Sequence, residues 1–183
     1  MILSLYLFLS VMTTGAWQLS LFDKNMPWFS VDDRVMGGIS QSYIATNDNF
    51  ELVFLGEMSV ENNGGFASIR REVYLPQDKI PSDAQLKLTV TGDGRTYQVR
   101  FRTSTQWNAI AYFARIDTVP NQTVTHILSL DDFKASWRGR AVPDAKPLRW
   151  QDVKQMSFML TDKQPGEFGL LVSEIYWQNV SGV

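Results

Sequence analysis

QLKLTVTGDGRTYQVRFR, residues 85–102, decides the fold class. Leu86, Leu88 and Val90 alternate with Lys87 and Thr89, and Tyr97, Val99 and Phe101 alternate with Gln98, Arg100 and Arg102. A period of two is that of a strand with one buried face, because successive side chains point to opposite sides of the pleat. Between the two runs stands Asp93-Gly94, a dipeptide suited to a tight reversal. The expectation is an antiparallel hairpin with its apolar side chains inward and Gln98, Arg100 and Arg102 pointing the other way.

The same period recurs outward from that segment. Trp17, Leu19 and Leu21 alternate with Gln18 and Ser20, Phe50, Leu52 and Phe54 alternate with Glu51 and Val53, and Ala67, Ile69, Arg71 and Val73 oppose Ser68, Arg70 and Glu72. Further strands are expected at AIAYFARI (109–116), TVTHILSL (123–130), MSFML (156–160) and FGLLVSEIYW (168–177), with loops at DDFKASWRGRAVPDAKP (131–147) and DKQPGE (162–167). LRWQDVKQM (148–156) has room for a helical turn or two with Leu148, Val153 and Met156 inward. Short strands with turn signals about every ten residues make an all-β chain, an antiparallel sandwich or barrel. At 183 residues one domain is expected, over residues 17–183.

Composition narrows the chemistry. With 17 basic and 19 acidic residues the net charge is −2, without the basic excess of a nucleic-acid binder. There is no cysteine and one histidine, His126, which removes thiolate nucleophiles and the usual zinc ligand sets. Neither a phosphate-cradling glycine loop opening a helix nor any other cofactor motif is present. ILSLYLFLSVM and TTGA (2–16) resemble the apolar core and small-residue end of a leader, cleaved before Trp17, yet the first basic residue is Lys24. Residues 1–16 are read as a leader, which implies export or membrane association; the other reading is that part of the stretch is an edge strand or a misplaced start, in a chain that is otherwise cytoplasmic.

Candidate sites sit in the loops. ENNGGFASIR (61–70) places Asn62 and Asn63 ahead of two glycines, and Asn63-Gly64 marks a reversal with φ above zero. Its amides either satisfy loop backbone or contact a ligand. Arg95, just past the Asp93-Gly94 turn, is aimed at a ligand or at a carboxylate. Trp107 is a stacking platform for a sugar ring or, the preferred reading, part of the core. Trp137, Arg138 and Arg140 set a flat ring beside two guanidinium forks, suited to carboxylates, sugar hydroxyls or an acidic partner. Alternatively those arginines pair with Asp131, Asp132 or Asp144 to pin the loop.

Catalysis is not expected. Adjacent Asp32 and Asp33 project to opposite faces if extended, and are better read as acceptors for the backbone of the glycine-rich VMGG turn. His126 shares a face with Val124, Leu128 and Leu130, as a structural histidine would, and no nucleophile elbow accompanies it. No metal site is assigned, although NDNFE and TGDGR carry the oxygens that a structural calcium ion uses.

Five motifs in order carry a resemblance: VDDRVMGGISQS (31–42), ENNGGFASIR (61–70), GDGRTY (92–97), DDFKASWRGRAVPDAKPL (131–148) and DKQPGEFGLLV (162–172). Together the chain resembles the complex I intermediate-associated protein family over residues 19–177. The resemblance implies a jelly-roll β-sandwich like the galactose-binding domains. It implies a non-catalytic, chaperone-like factor whose partners are protein assembly intermediates of a membrane-bound respiratory complex. The alternative reading of the residues is a carbohydrate- or small-ligand-binding module working through its rim loops, with membrane contact only by proximity or through the leader.

Overall fold

The computed structural model describes residues 18–20, 27–47, 51–75 and 80–179. The leader, Trp17, Leu21 and Phe50 lie outside them. Thirteen strands follow in chain order: β1 (Gln18–Ser20), β2 (Phe29–Ser30), β3 (Gln41–Thr46), β4 (Leu52–Met58), β5 (Ala67–Glu72), β6 (Gln85–Gly92), β7 (Thr96–Arg102), β8 (Ala111–Asp117), β9 (Thr123–Leu128), β10 (Lys134–Trp137), β11 (Arg140–Ala141), β12 (Gln155–Leu160) and β13 (Gly166–Gln178). They form two antiparallel sheets, one ordered β3-β4-β13-β6-β9 with β1 on β13, the other β11-β10-β8-β7-β12-β5-β2. This is the expected all-β jelly-roll sandwich.

One element of the expectation fails in an informative way. β6 and β7 do not pair: β6 lies between β13 and β9 in one sheet, and β7 between β12 and β8 in the other. The GDGR turn is thus a crossing from one layer to the next, not a hairpin. Apolar alternation reports which face is buried and not which strand lies alongside, and both strands do turn their apolar side chains into the same interior. Asp93 holds the crossing together. Its carboxylate accepts from Arg95 N at 3.0 Å, from the Tyr97 hydroxyl at 2.9 Å and from Gly169 N at 2.9 Å, so it is committed to structure.

The interior between the sheets is filled by Phe54, Leu86, Leu88, Tyr97, Val99, Phe101, Phe158 and Trp177, all without exposed surface. Trp150 sits in a single 3-10 turn (Trp150–Asp152), shorter than the expected helical piece, with Leu148, Val153 and Met156 inward as expected. Its ring meets Phe101 at 5.7 Å, Phe133 at 5.4 Å and Trp177 at 5.7 Å between centroids, all edge-on. Such edge contacts are the favoured geometry for aromatic quadrupoles. The Trp150 indole N–H donates to Ala84 O at 2.8 Å, so the polar end of the ring is satisfied.

Three further expectations are corrected. The segment 131–147, expected as a loop, contains β10 and β11, joined by Arg138 and Gly139 at φ 48 and 78. Two successive left-handed residues make the turn type whose twist suits a hairpin. β3 was absent from the alternation because only one edge of it pairs and it is largely exposed. Gly64, expected at positive φ, lies at φ −65, and the left-handed positions are Asn62, Asn63 and Gly65.

Candidate functional site

Two polar constellations are built by this scaffold, one joining two loops and one on the outward face of a sheet. The first joins the motifs 31–42 and 61–70. Asp33, fully buried, accepts from Ser40 N at 3.0 Å, Ser40 Oγ at 2.6 Å, Gly65 N at 2.7 Å and Phe66 N at 3.3 Å. Asp32 accepts from Ser42 N at 2.9 Å, Ser42 Oγ at 2.7 Å and Ser68 N at 3.0 Å. Burial holds the Asp32 carboxyl above the usual carboxylate range, against the pull of the Ser42 and Ser68 donors. The carboxylates therefore bind backbone, though that of residues 40–42 and 65–68, not that of the VMGG turn itself. Gly38 and Gly64 make room for Asp33: a Cβ on Gly64 would stand 2.6 Å from Asp33 Oδ2, and one on Gly38 would overlap the carboxyl group. Gly64→Val should accordingly cost about 2 kcal/mol through steric clash rather than through φ. A thermal midpoint within a degree of the parent would refute that account.

The second constellation lies on the outward face of the seven-stranded sheet. In register across it run Phe29, Arg70, Ser157, Arg100, Phe113 and Lys134, contributed by β2, β5, β12, β7, β8 and β10. The next row holds Glu72, Gln155 and Arg102. Outward positions of a two-layer sandwich are ordinarily solvated, yet Arg70, Arg100 and Arg102 are only 5%, 9% and 8% exposed. Ser157, small and itself buried, leaves the space that these long side chains cover. Arg102 Nη1 stands 3.5 Å from Ser157 Oγ, Arg100 Nη2 donates to Ser136 Oγ at 3.2 Å, and Arg70 Nη1 donates to Trp107 O at 3.3 Å.

Among the described residues none of these three guanidinium groups has a carboxylate partner. The ion pairs among the described residues are Lys87–Glu174, Arg95–Asp162 and Arg149–Asp152. The Nε atoms of all three arginines, and Gln155 Oε1 beside them, are buried without a hydrogen-bond partner among the described residues. Loss of hydration, then repulsion from Arg70, pushes Arg100 down to about 10, and the same burial with Arg70 and Arg100 nearby pushes Arg102 down to about 9. Burial also lowers Arg70. All three remain cations at neutral pH, so three like charges stand together with no countercharge among the described residues.

Of the residues singled out in the sequence, Trp107, Trp137 and Arg138 gather at the same end of this face. Trp107, preferred above as core, is 54% exposed and lies under the Arg70 guanidinium, 5.1 Å from ring centroid to Arg70 Cζ. Trp137 Nε1 donates to Asn108 O at 2.9 Å, tying the β10–β11 turn to the Trp107 loop. Arg138 covers one face of the Trp137 ring at 5.0 Å, and neither it nor Arg140 forms an ion pair among the described residues. Arg140 faces Trp137 across the hairpin and is exposed.

Arg95, Asn62 and Asn63 lie at the opposite end. Arg95 is engaged by a carboxylate: Asp162 takes its Nε at 2.8 Å and its Nη2 at 2.6 Å, a two-point clamp, while Nη1 reaches Glu167 O at 3.2 Å. The exposed Asn62 and Asn63 make no side-chain hydrogen bond among the described residues; what asparagine supplies there is tolerance of the left-handed backbone. His126 is half-buried with Nε2 3.0 Å from Asp117 O, in the structural role expected. Among the described residues no cluster of acidic, histidine or cysteine side chains is arranged to hold a metal. A hollow of about 530 Å³ beside the β10–β11 hairpin is walled by Tyr112, Phe133, Pro143 and Leu148, and its phenol already donates to Lys146 O at 2.7 Å.

Arg70, Arg100 and Arg102 were legible as outward-pointing but not as a cluster. The strand that brings them together, β12, comes more than fifty residues after the nearest of them.

Comparison with known proteins agrees with this architecture. A family 30 carbohydrate-binding module superposes with a TM-score of 0.61 at 13% identity, covering 89% of this chain and 99% of the other. A family 11 carbohydrate-binding module from Clostridium thermocellum, in complex with a β-1,3-1,4-mixed-linked tetrasaccharide, gives 0.59 at 13% identity over 92% and 98%. A family 29 module from Piromyces equi gives 0.53 at 7% identity over 92% and 96%. At such identities the likeness is one of fold. No curated protein sequence matches. The family model for Complex I intermediate-associated protein 30 (CIA30) matches residues 17–172, which takes in all the strands from β1 to β12 and the first half of β13, and the chain therefore belongs to that family.

Proposed function

We propose that the protein is a non-catalytic binding module of assembly-factor type, which holds a partner protein, an intermediate of a respiratory membrane complex, against the outward face of its seven-stranded sheet. The observation that carries this reading is the trio Arg70, Arg100 and Arg102, covered and without a carboxylate among the described residues. Ionisable groups kept in so unfavourable a state cluster at functional sites. Family membership supports a protein as the occupant. The groups that an enzyme would need point the other way, since Asp32, Asp33 and His126 are each held by backbone donors or acceptors.

Affinity purification from the native source tests it. Respiratory-complex subunits are expected to co-purify with the intact protein. A second reading, a carbohydrate-binding module, is favoured by exposed Trp107 and Trp137 at one end of the face, flat rings of the kind on which sugars stack. It is supported instead if the purified chain comes down alone and binds neutral oligosaccharides on a glycan array, with Trp107→Ala weakening that binding at least tenfold.

A further inference from the structure

The chemistry of the occupant is legible from the same face. Resting on the reading of a protein partner, we propose that Arg70, Arg100 and Arg102 receive the carboxylates of an extended acidic segment of that partner.

Three observations converge on this chemistry. The first is electrostatic: burying a cation beside two others costs free energy that no carboxylate among the described residues offsets, and a bound carboxylate is the ligand that offsets it most fully. A neutral sugar offers acceptors for the guanidinium N–H groups but leaves the three charges uncompensated. The second is steric. With exposures of 5%, 9% and 8%, little of these side chains can be reached, which admits a carboxylate on a slim, flexible stem and turns away a broad phosphate backbone. The third is spacing. Arg100 and Arg102 are two residues apart on β7, about 7 Å, which is also the separation of carboxylates at alternate positions of an extended chain. Arg70, two strands away across β12, stands about 10 Å from Arg100 and can take a carboxylate further along.

The long-range field does not favour this ligand. The chain as a whole carries a net charge of −2, so polyanions are not drawn to it generally. Binding of an acidic peptide must then come from the local cluster, which makes it a discriminating measurement.

The experiment is fluorescence anisotropy with a fluorescein-labelled hexaglutamate peptide and the full chain in low-salt buffer at pH 7. Saturable binding is expected, weakened at least tenfold in the Arg100→Met/Arg102→Met double variant and changed less than twofold in Arg115→Met, which removes an exposed charge on the neighbouring β8. The double variant is expected to melt at a higher temperature than the parent, because it removes uncompensated buried charge; a merely structural pair of arginines would lower it. Unchanged affinity in the double variant, or a lowered melting temperature with affinity intact, overturns the proposal. So does tighter binding of hexagalacturonate than of hexaglutamate, which would assign the face to an acidic glycan. Should the double variant fail to fold, Arg100→Lys/Arg102→Lys keeps the charge and loses the two-point fork, and an affinity equal to the parent's overturns the proposal in its place. Capture of the native partner separates the two levels. A protein retained equally by parent and double variant overturns the acidic-segment proposal and leaves the assembly reading standing, whereas arginine-dependent hexaglutamate binding without any respiratory protein captured supports the site and removes that reading.

Discussion

Asp33→Ala should lower the free energy of unfolding by about 4 kcal/mol, with a fall of about 2 M in the urea midpoint for an m value near 2 kcal/mol/M. The size follows from what the carboxylate holds. Ser40 N, Ser40 Oγ, Gly65 N and Phe66 N all donate to it, and they come from two segments about twenty-five residues apart that flank β3 and β5. Removing the acceptor leaves several buried donors unsatisfied at roughly 1 to 3 kcal/mol each, partly relieved where water enters the vacated space. The hole itself is small, so the effect is one of hydrogen bonding and not of packing. Asp33→Asn, which keeps the volume but turns one acceptor into a donor facing other donors, should lose nearly as much. A midpoint shift below about 0.5 M in Asp33→Ala would show that the two loops hold together without it.

Trp150→Ala should cost a similar amount, about 4 kcal/mol, by a different route. The ring has no exposed surface and is boxed by Phe101, Phe133 and Trp177, each rigid and each committed elsewhere. Those neighbours cannot collapse into the gap without disturbing their own tilted and stacked contacts, Phe101 with Phe133 and Phe101 with Trp177. Ala84 O would also lose its donor. The measurement is differential scanning calorimetry of the two proteins together with near-ultraviolet dichroism. The aromatic signal should fall sharply, as the coupled array loses its central member, and Trp150→Phe should recover about half of the lost stability. Equal melting temperatures for parent and Trp150→Ala would contradict the packing described above.

How far these features were legible in the sequence depends on the range of the interaction involved. Inward and outward faces are local properties, visible as alternation, and Leu86, Leu88, Val90, Tyr97, Val99 and Phe101 are all buried as expected. Pairing is not local. β6 and β7 run consecutively through a tight glycine turn yet belong to different layers, because each finds better partners in strands from the other end of the chain. β10 and β11 were missed because four and two residues bearing Lys134 and Arg140 carry too little apolar pattern to register. The site divides the same way: Trp107, Trp137 and Arg138 stood out as unusual residues in loops, whereas the arginine cluster needed the register of three strands to come into view. Asn62, Asn63 and Arg95 drew notice for turn chemistry that the fold uses for its own construction.

The position of β13 bears on how the molecule is made. It lies between β4 and β6, so that Phe54 is laid beside Leu170, and Leu88 beside Ile175. During synthesis β4 and β6 each leave the ribosome with a bare ladder edge, and the neighbour for both edges exists only once the long strand β13 is translated and threads into the slot. Folding is then governed by capture of a distant segment, a slow and late event for which nascent chains depend on protection from one another.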